Sequence, residues 1–330
     1  MIAQRRSILA LLTTRLLAAA LLAVPSAASA QNYPSRVIRL IVPYPPGGPT
    51  DVVARIVANS LSDKLHQSLV VENRPGGAAG TVGAHTVVSA EPDGYTLLVS
   101  QVGSLTIAPS LYKLDYDPLR DFAPIAILAV TPEVLTVHPS VPAHSLTEFL
   151  AYAKANPGKL NFGSPGTGTL PHVIGEQLQL ATGIKITHVP YRGAAPAVTD
   201  LLAGRVQLMI DTTSVLLTHI VAGKLNGFAI SSERRIPELP NMPTFAEAGY
   251  PQLTESLWTG LLAPAGTPAP IIATLNAATN EILKSPEVQQ AYARLQVGTK
   301  LVSPEEMKTF MADETRKWTE VIKAAGIKGE

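Results

Sequence analysis

Two short stretches of this chain carry residues suited to holding an anion. Tyr44-Pro-Pro-Gly-Gly-Pro-Thr-Asp51 follows an apolar run at residues 37–42, and Gly163-Ser-Pro-Gly-Thr-Gly-Thr169 follows a shorter run that begins at Leu160. Gly47 and Gly48 let the backbone turn and approach a ligand with no side chain in the way. Thr50 suits the N-cap of a following helix, with Asp51 in its first turn. Unpaired amides at such a turn and helix start attract negative charge. Ser164, Thr167 and Thr169 add hydroxyl donors, and Pro171 is tolerated in a first helical turn. Each turn alone also fits an ordinary tight connection between a strand and a helix. Two of them facing one cleft would clamp a small anion from both sides.

Other chemistries find less support. Gly-x-x-x-x-Gly-Lys-Ser/Thr is absent, neither turn is a clean Gly-x-Gly-x-x-Gly, and there is no Gly-x-Ser-x-Gly elbow. The seven histidines show no metal-ligand spacing, and no cysteine is present to help them. His172 reads in two ways, as a contact to a ligand carboxylate or its water, or as a first-turn residue that fixes the loop. Asp51 and Asp211 could form an acid–base pair, but Asp51 also fits a helix cap. An exported hydrolase or isomerase built on His172 with Asp211 or Asp51 would lack an activated nucleophile. The expectation is a binding protein, not an enzyme, with no cofactor and no metal.

The turns need elements to position them. Residues 37–42, 68–71 and 95–100 read as strands, with helices at 53–65 and 80–89 between them, a doubly wound α/β unit. Residues 123–138 are apolar and β-branched without helical period. The alternation then restarts: helices near 146–155, 169–181 and 196–203, and strands near 160–163, 185–189, 206–210 and 225–230. Residues 255–262 form a second extended segment, followed by amphipathic helices at 271–284 and 304–325. Two α/β units joined by two extended crossings imply a discontinuous first domain, residues 31–130 plus 254–330, with residues 131–253 as the second. Ligands of such sheets bind at the carboxyl ends of the strands. Trp258, on one crossing, is either cleft lining or core.

The first thirty residues differ in kind. Arg5 and Arg6 precede an apolar stretch at 16–24, and Ala28-Ser29-Ala30 fits a signal-peptidase site, so a secretory signal peptide ending near Ala30 is expected. Export by the general or the twin-arginine route fits equally. Loss of that segment removes Arg5, Arg6 and Arg15 and no acid, turning a net charge of +1 into −2. No basic excess then remains for a nucleic acid. Export without a single cysteine suits a bacterial periplasm.

Several segments together resemble one family. "VPYPPGGPTDVVAR", "VVENRPGGAAGTVGA", "EPDGYTLLVS", "NFGSPGTGTLPHVIGEQL", "HVPYRGAAPAVTDLLAGRVQLMID" and "MPTFAEAGYP" are similar, in order and spacing, to the Bug family of periplasmic receptors of tripartite tricarboxylate transporters. The resemblance implies a two-lobed α/β periplasmic-binding-protein fold, type II-like, with a hinged cleft between the lobes. It implies a monomer that takes a small carboxylate, such as a di- or tricarboxylate, an acidic amino acid or an aromatic acid. Its partners would be membrane permease subunits or, alternatively, a membrane sensor. Carried over by position, the ligand residues would be Tyr44, Pro45, Gly47, Gly48, Thr50, Asp51, Ala78, Ser100, Gly103, Ser164, Thr167, Gly168, Thr169, His172, Tyr191 and Asp211. Pro49, Arg192 and Thr212 depart from the family pattern, and Pro49 removes an amide donor.

Overall fold

A computed structural model describes residues 33–76 and 80–329. The expected signal peptide and Ala78 lie outside the described residues.

From Arg36 onward the chain opens with β1 (Ile38–Val42), α1 (Pro49–Leu65), β2 (Leu69–Asn73), α2 (Thr81–Val88) and β3 (Thr96–Gln101). The apolar run of β1 is central because it is buried on both faces; Ile38, Leu40, Ile41 and Val42 are all fully covered. It pairs in parallel with β2 and β3, Leu40 lying opposite Val71 and Leu97. A π-helical turn (Gly103–Ile107) and the short α3 (Ala108–Leu111) follow.

The run without helical period is one strand of 16 residues, β4 (Phe122–Val137). Then come α4 (Leu146–Ala155), β5 (Leu160–Ser164), α5 (Leu170–Thr182), β6 (Ile186–Pro190), α6 (Ala194–Leu202), β7 (Leu208–Thr212), α7 (Thr213–Val221) and β8 (Asn226–Ile230). The last part is β9 (Ser256–Pro264), α8 (Ala269–Ile282), α9 (Pro286–Leu295) and α10 (Pro304–Ala325). The described strands make a single curled mixed sheet in the order β2-β1-β3-β9-β4-β7-β5-β6, with β8 added to β4. β4 does the joining: its first part runs antiparallel to β9, and its last part pairs with β7 on one side (133–137) and β8 on the other (134–137).

One local reading is corrected, and two helices absent from the sequence reading are found. Thr50 is not the N-cap: Gly48 caps α1 and Pro49 takes the first helical position, where its missing amide costs nothing. The helix α7 begins directly at the end of β7, with no loop to separate its β-branched start from the strand. The helix α9 was hidden between α8 and α10; its start is Ser285-Pro286-Glu287, and the Ser285 hydroxyl accepts the Val288 N–H at 3.3 Å.

In the last helix Met307, Met311 and Trp318 are buried along one face, so it packs on the sheet instead of a membrane. Among the described residues, no helix is long and apolar enough to cross a membrane.

Candidate functional site

A cavity of about 490 Å³ lies where the carboxyl ends of β1, β3, β5 and β7 meet. The crossing strands β4 and β9 contribute Glu133 and Leu257 to its wall. Four helix starts border it: Pro49 and Thr50 of α1, Leu170 and Pro171 of α5, Ala194 of α6, and Thr212, the cap of α7. The first amides of each helix have no partner within the helix, and the helix dipole adds partial positive charge there. Among the described residues that line the cavity, none is Lys, Arg or His.

Residues of both glycine turns line this space, and Gly103, just after β3, approaches the second turn. A Cβ added to Gly103 would sit 4.0 Å from the Gly168 carbonyl oxygen. Of the residues named from sequence, Tyr44, Pro45, Gly48, Thr50, Gly103, Thr167, Gly168, Thr169 and Asp211 line the cavity. Pro49 and Thr212, two of the family departures, line it as well, whereas Arg192 is exposed and does not.

Gly47, Asp51, Ser100, Ser164, His172 and Tyr191 are not in the lining; they brace it. The Gly47 N–H donates to Asp51 Oδ2 at 2.9 Å, and Asp51 also accepts from Arg55 (3.0 Å to each oxygen) and from Asn73 at 2.8 Å. Ser100 bonds Ser104, which accepts the Tyr44 hydroxyl at 3.2 Å and so sets the tyrosine against the cavity. The Thr50 hydroxyl donates to Gln101 Oε1 at 3.3 Å, and that of Thr169 to the Gly166 carbonyl at 2.7 Å. Both threonines thus orient their surroundings. Tyr191 turns away and donates its hydroxyl to Asp200 at 2.8 Å.

His172 occupies the loop-fixing role. Its Nδ1 accepts the Gly168 N–H at 3.1 Å, and its ring stacks on His188 with centroids 3.8 Å apart. Ser164 Oγ bonds His188 Nε2 at 2.6 Å, so the pair ties both ends of the second glycine turn. Burial pushes His172 down to about 4; burial and its neighbour push His188 down to about 3, so both rings are neutral at pH 7.

Sequence reasoning missed Glu133 and Gln101 in the lining. Glu133 is one acid in an apolar strand, and nothing local announces that it faces a cavity. Gln101 ends β3, one residue past the Ser100 that the motif singled out.

A larger cavity, about 800 Å³, borders the crossing strands elsewhere, beside Trp258, Glu255, Phe310 and Lys317. Its buried acids are already partnered. Lys317 pairs with Glu255 at 2.6 Å and with Glu314, which also accepts the Trp258 indole N–H at 3.2 Å. Trp258 itself is 1% exposed and belongs to the core. The smaller cavity is the better candidate because strand ends and helix starts converge on it.

Comparison with known proteins points the same way. The model of the tripartite tricarboxylate transporter family receptor matches residues 53–327. Protein BugT of Bordetella pertussis is 40% identical over 302 residues, covering 91% of this chain and 92% of BugT. A structure of R. palustris Rpa4515 with adipate is 34% identical with a TM-score of 0.81, covering 90% of this chain and 100% of that one. MatC (Rpa3494) from Rhodopseudomonas palustris, with bound malate, is 34% identical with a TM-score of 0.77, covering 88% and 100%.

Proposed function

The chain belongs to the tripartite tricarboxylate transporter receptor family, and from that premise we propose that it captures a small carboxylate in the cavity between its glycine turns and delivers it to a membrane permease. The family is one of periplasmic solute-binding receptors, not enzymes, and its fold is the two-lobed α/β fold of periplasmic binding proteins. The observation that carries the ligand class is the convergence of four helix starts on one cavity with no basic side chain in its described lining. Such a site favours an anion through amides and dipoles, not through an ion pair. Adipate in one relative and malate in another support the same class.

In this reading the lobes are residues 31–130 plus 254–330 and residues 131–253, closing on the ligand about β4 and β9. Only the closed arrangement supplies both turns, so ligand favours closure. The direct contacts are Tyr44, Gly48, Thr50, Gly103, Thr167, Gly168 and Thr169. Gly47, Asp51, Ser100, Ser164, His172 and Tyr191 hold those residues in place.

Isothermal calorimetry of the mature chain against mono-, di- and tricarboxylates tests the ligand class, with micromolar or tighter binding of at least one expected. Binding of sugars or simple amines with no response to any carboxylate would refute it. Deletion of the gene, followed by measurement of uptake of the bound acid, tests delivery; unchanged uptake with lost induction would assign the receptor to a sensor.

A further inference from the structure

The carboxylate reading leaves two side chains of the cavity unused. Glu133, on β4, is 0% exposed, and neither of its carboxylate oxygens has a hydrogen-bond partner among the described residues. Its backbone is fixed: the Glu133 N–H donates to Ser231 Oγ at 2.7 Å, and its carbonyl accepts the Ser231 N–H at 2.9 Å. Asp211, at the end of β7, is 4% exposed. Its Oδ1 accepts the Thr212 N–H at 2.7 Å, while Oδ2 has no partner among the described residues. Both residues line the cavity. Burial raises the carboxyl groups of both above their ordinary range, and the negative charge of Asp211 raises Glu133 further.

Two acids are a poor fit to a receptor for plain carboxylates. An uncompensated buried charge is strongly unfavourable, and an anionic ligand adds to it. No cationic side chain in the described lining offsets them. Three orphan oxygens remain, Glu133 Oε1, Glu133 Oε2 and Asp211 Oδ2. A protonated amine has three N–H donors and the missing positive charge.

Building on the carboxylate reading, we propose that the ligand is a zwitterion, a carboxylate that also carries a protonated amine, with the amine seated on Glu133 and Asp211 and the carboxylate at the helix starts and glycine turns. Glu133 is then the residue that sets specificity, and Asp211 its partner. When the amine enters, a proton held by this pair in the empty cavity leaves to solvent.

The experiment is calorimetry at pH 7.5, in the presence of EDTA, with matched probes: aspartate and succinate, glutamate and glutarate, phenylalanine and 3-phenylpropionate. In at least one pair the amino acid should bind roughly tenfold or more tightly than its amine-free analogue, as charge-assisted hydrogen bonds lost on deamination imply. Glu133→Gln should erase that preference, weakening the amino acid while leaving or tightening the analogue. Should that variant fail to fold, Asp211→Asn and the wild type serve instead. For the wild type, binding heats in buffers of different ionisation enthalpy should show proton release with the amino acid and none with the analogue. Tighter binding of the amine-free acids, no proton release, or a preference untouched by Glu133→Gln in folded protein would overturn the inference while leaving the carboxylate reading intact. Failure of both sets of probes to bind would remove both. Binding that requires a divalent metal, seen only without EDTA, would also overturn it, since the metal and not an amine would then satisfy the acids.

Discussion

The turn after β1 and the turn after β5 each follow a parallel strand, open a helix and border the same cavity, yet different chemistry holds them. The first is braced by charge. Burial works against the Asp51 carboxylate, but Arg55, the Gly47 N–H and Asn73 together hold its carboxyl below the usual range. The second is braced by neutral rings. His172 can accept the Gly168 N–H only while its Nδ1 is bare, and burial together with the stack on His188 disfavours charging both rings. One geometric task is therefore performed by groups that acid disables in different pH ranges, the rings from below about 6.5 and the carboxylate only from below its ordinary range. A brace can be read from its titration as well as from its shape.

The comparison can be broken most forcefully at Asp51. Asp51→Ala removes the acceptor of three neighbours and should cost about 2–3 kcal/mol of stability, as for hydrogen bonds to a charged group. Urea unfolding at neutral pH measures it; a loss well under 1 kcal/mol would mean that the first turn holds itself.

Acid sharpens the contrast. Folded-state values of about 4 for His172 and about 3 for His188 lie below the unfolded 6.5. The unfolded chain then binds more protons between those limits, so stability falls as pH drops below about 6.5, by roughly 3–5 kcal/mol at pH 4.5 for the two rings together. Asp51, whose carboxyl is lowered, keeps its contribution until much lower pH. Amide exchange should therefore show Gly168 losing protection between pH 6.5 and 4.5 while Gly47 retains it. Equal loss at both would refute the contrast. His172→Phe, which keeps a ring for the stack, should flatten the acid slope.

The smallest effects are expected where the two turns are alike. Thr50→Val and Thr169→Val each delete one internal hydrogen bond, to Gln101 and to the Gly166 carbonyl. Each should cost about 0.5–1.5 kcal/mol in thermal or urea unfolding and weaken ligand binding to a similar degree. A large difference between them would show that one turn carries more of the load.

Much of this arrangement was legible in sequence because it rests on periodicity and punctuation. The runs that became β1, β4 and β9 are apolar without helical period, and the glycine turns fall where strands end. The parts that were not legible depend on distant partners. Glu133 looks like a polar interruption of a strand until Ser231 and β7 pin its backbone beside a cavity. The role of His172 is decided by His188, which lies on a different strand, β6. Thr50 matched an N-cap by type, but Pro49 moved the helix start back and left Gly48 as the cap.

The strand order has a consequence in time. β3 has β1 on one edge, and its other edge is completed only by β9, with Leu98 opposite Leu262. Everything from β4 to β8 is made between those two residues. The strands β5, β6 and β7 and the tail of β4, by contrast, find their partners within a single continuous stretch of chain. A chain emerging from its amino end can therefore finish the later-encoded half of its sheet first, while the earlier half waits with β3 bare along one side. An open strand edge is a template for wrong pairings, and long-range pairings form slowly. The first three strands are thus the segment that most needs shielding before the last seventy or so residues arrive, and a chain truncated before β9 would present that edge permanently.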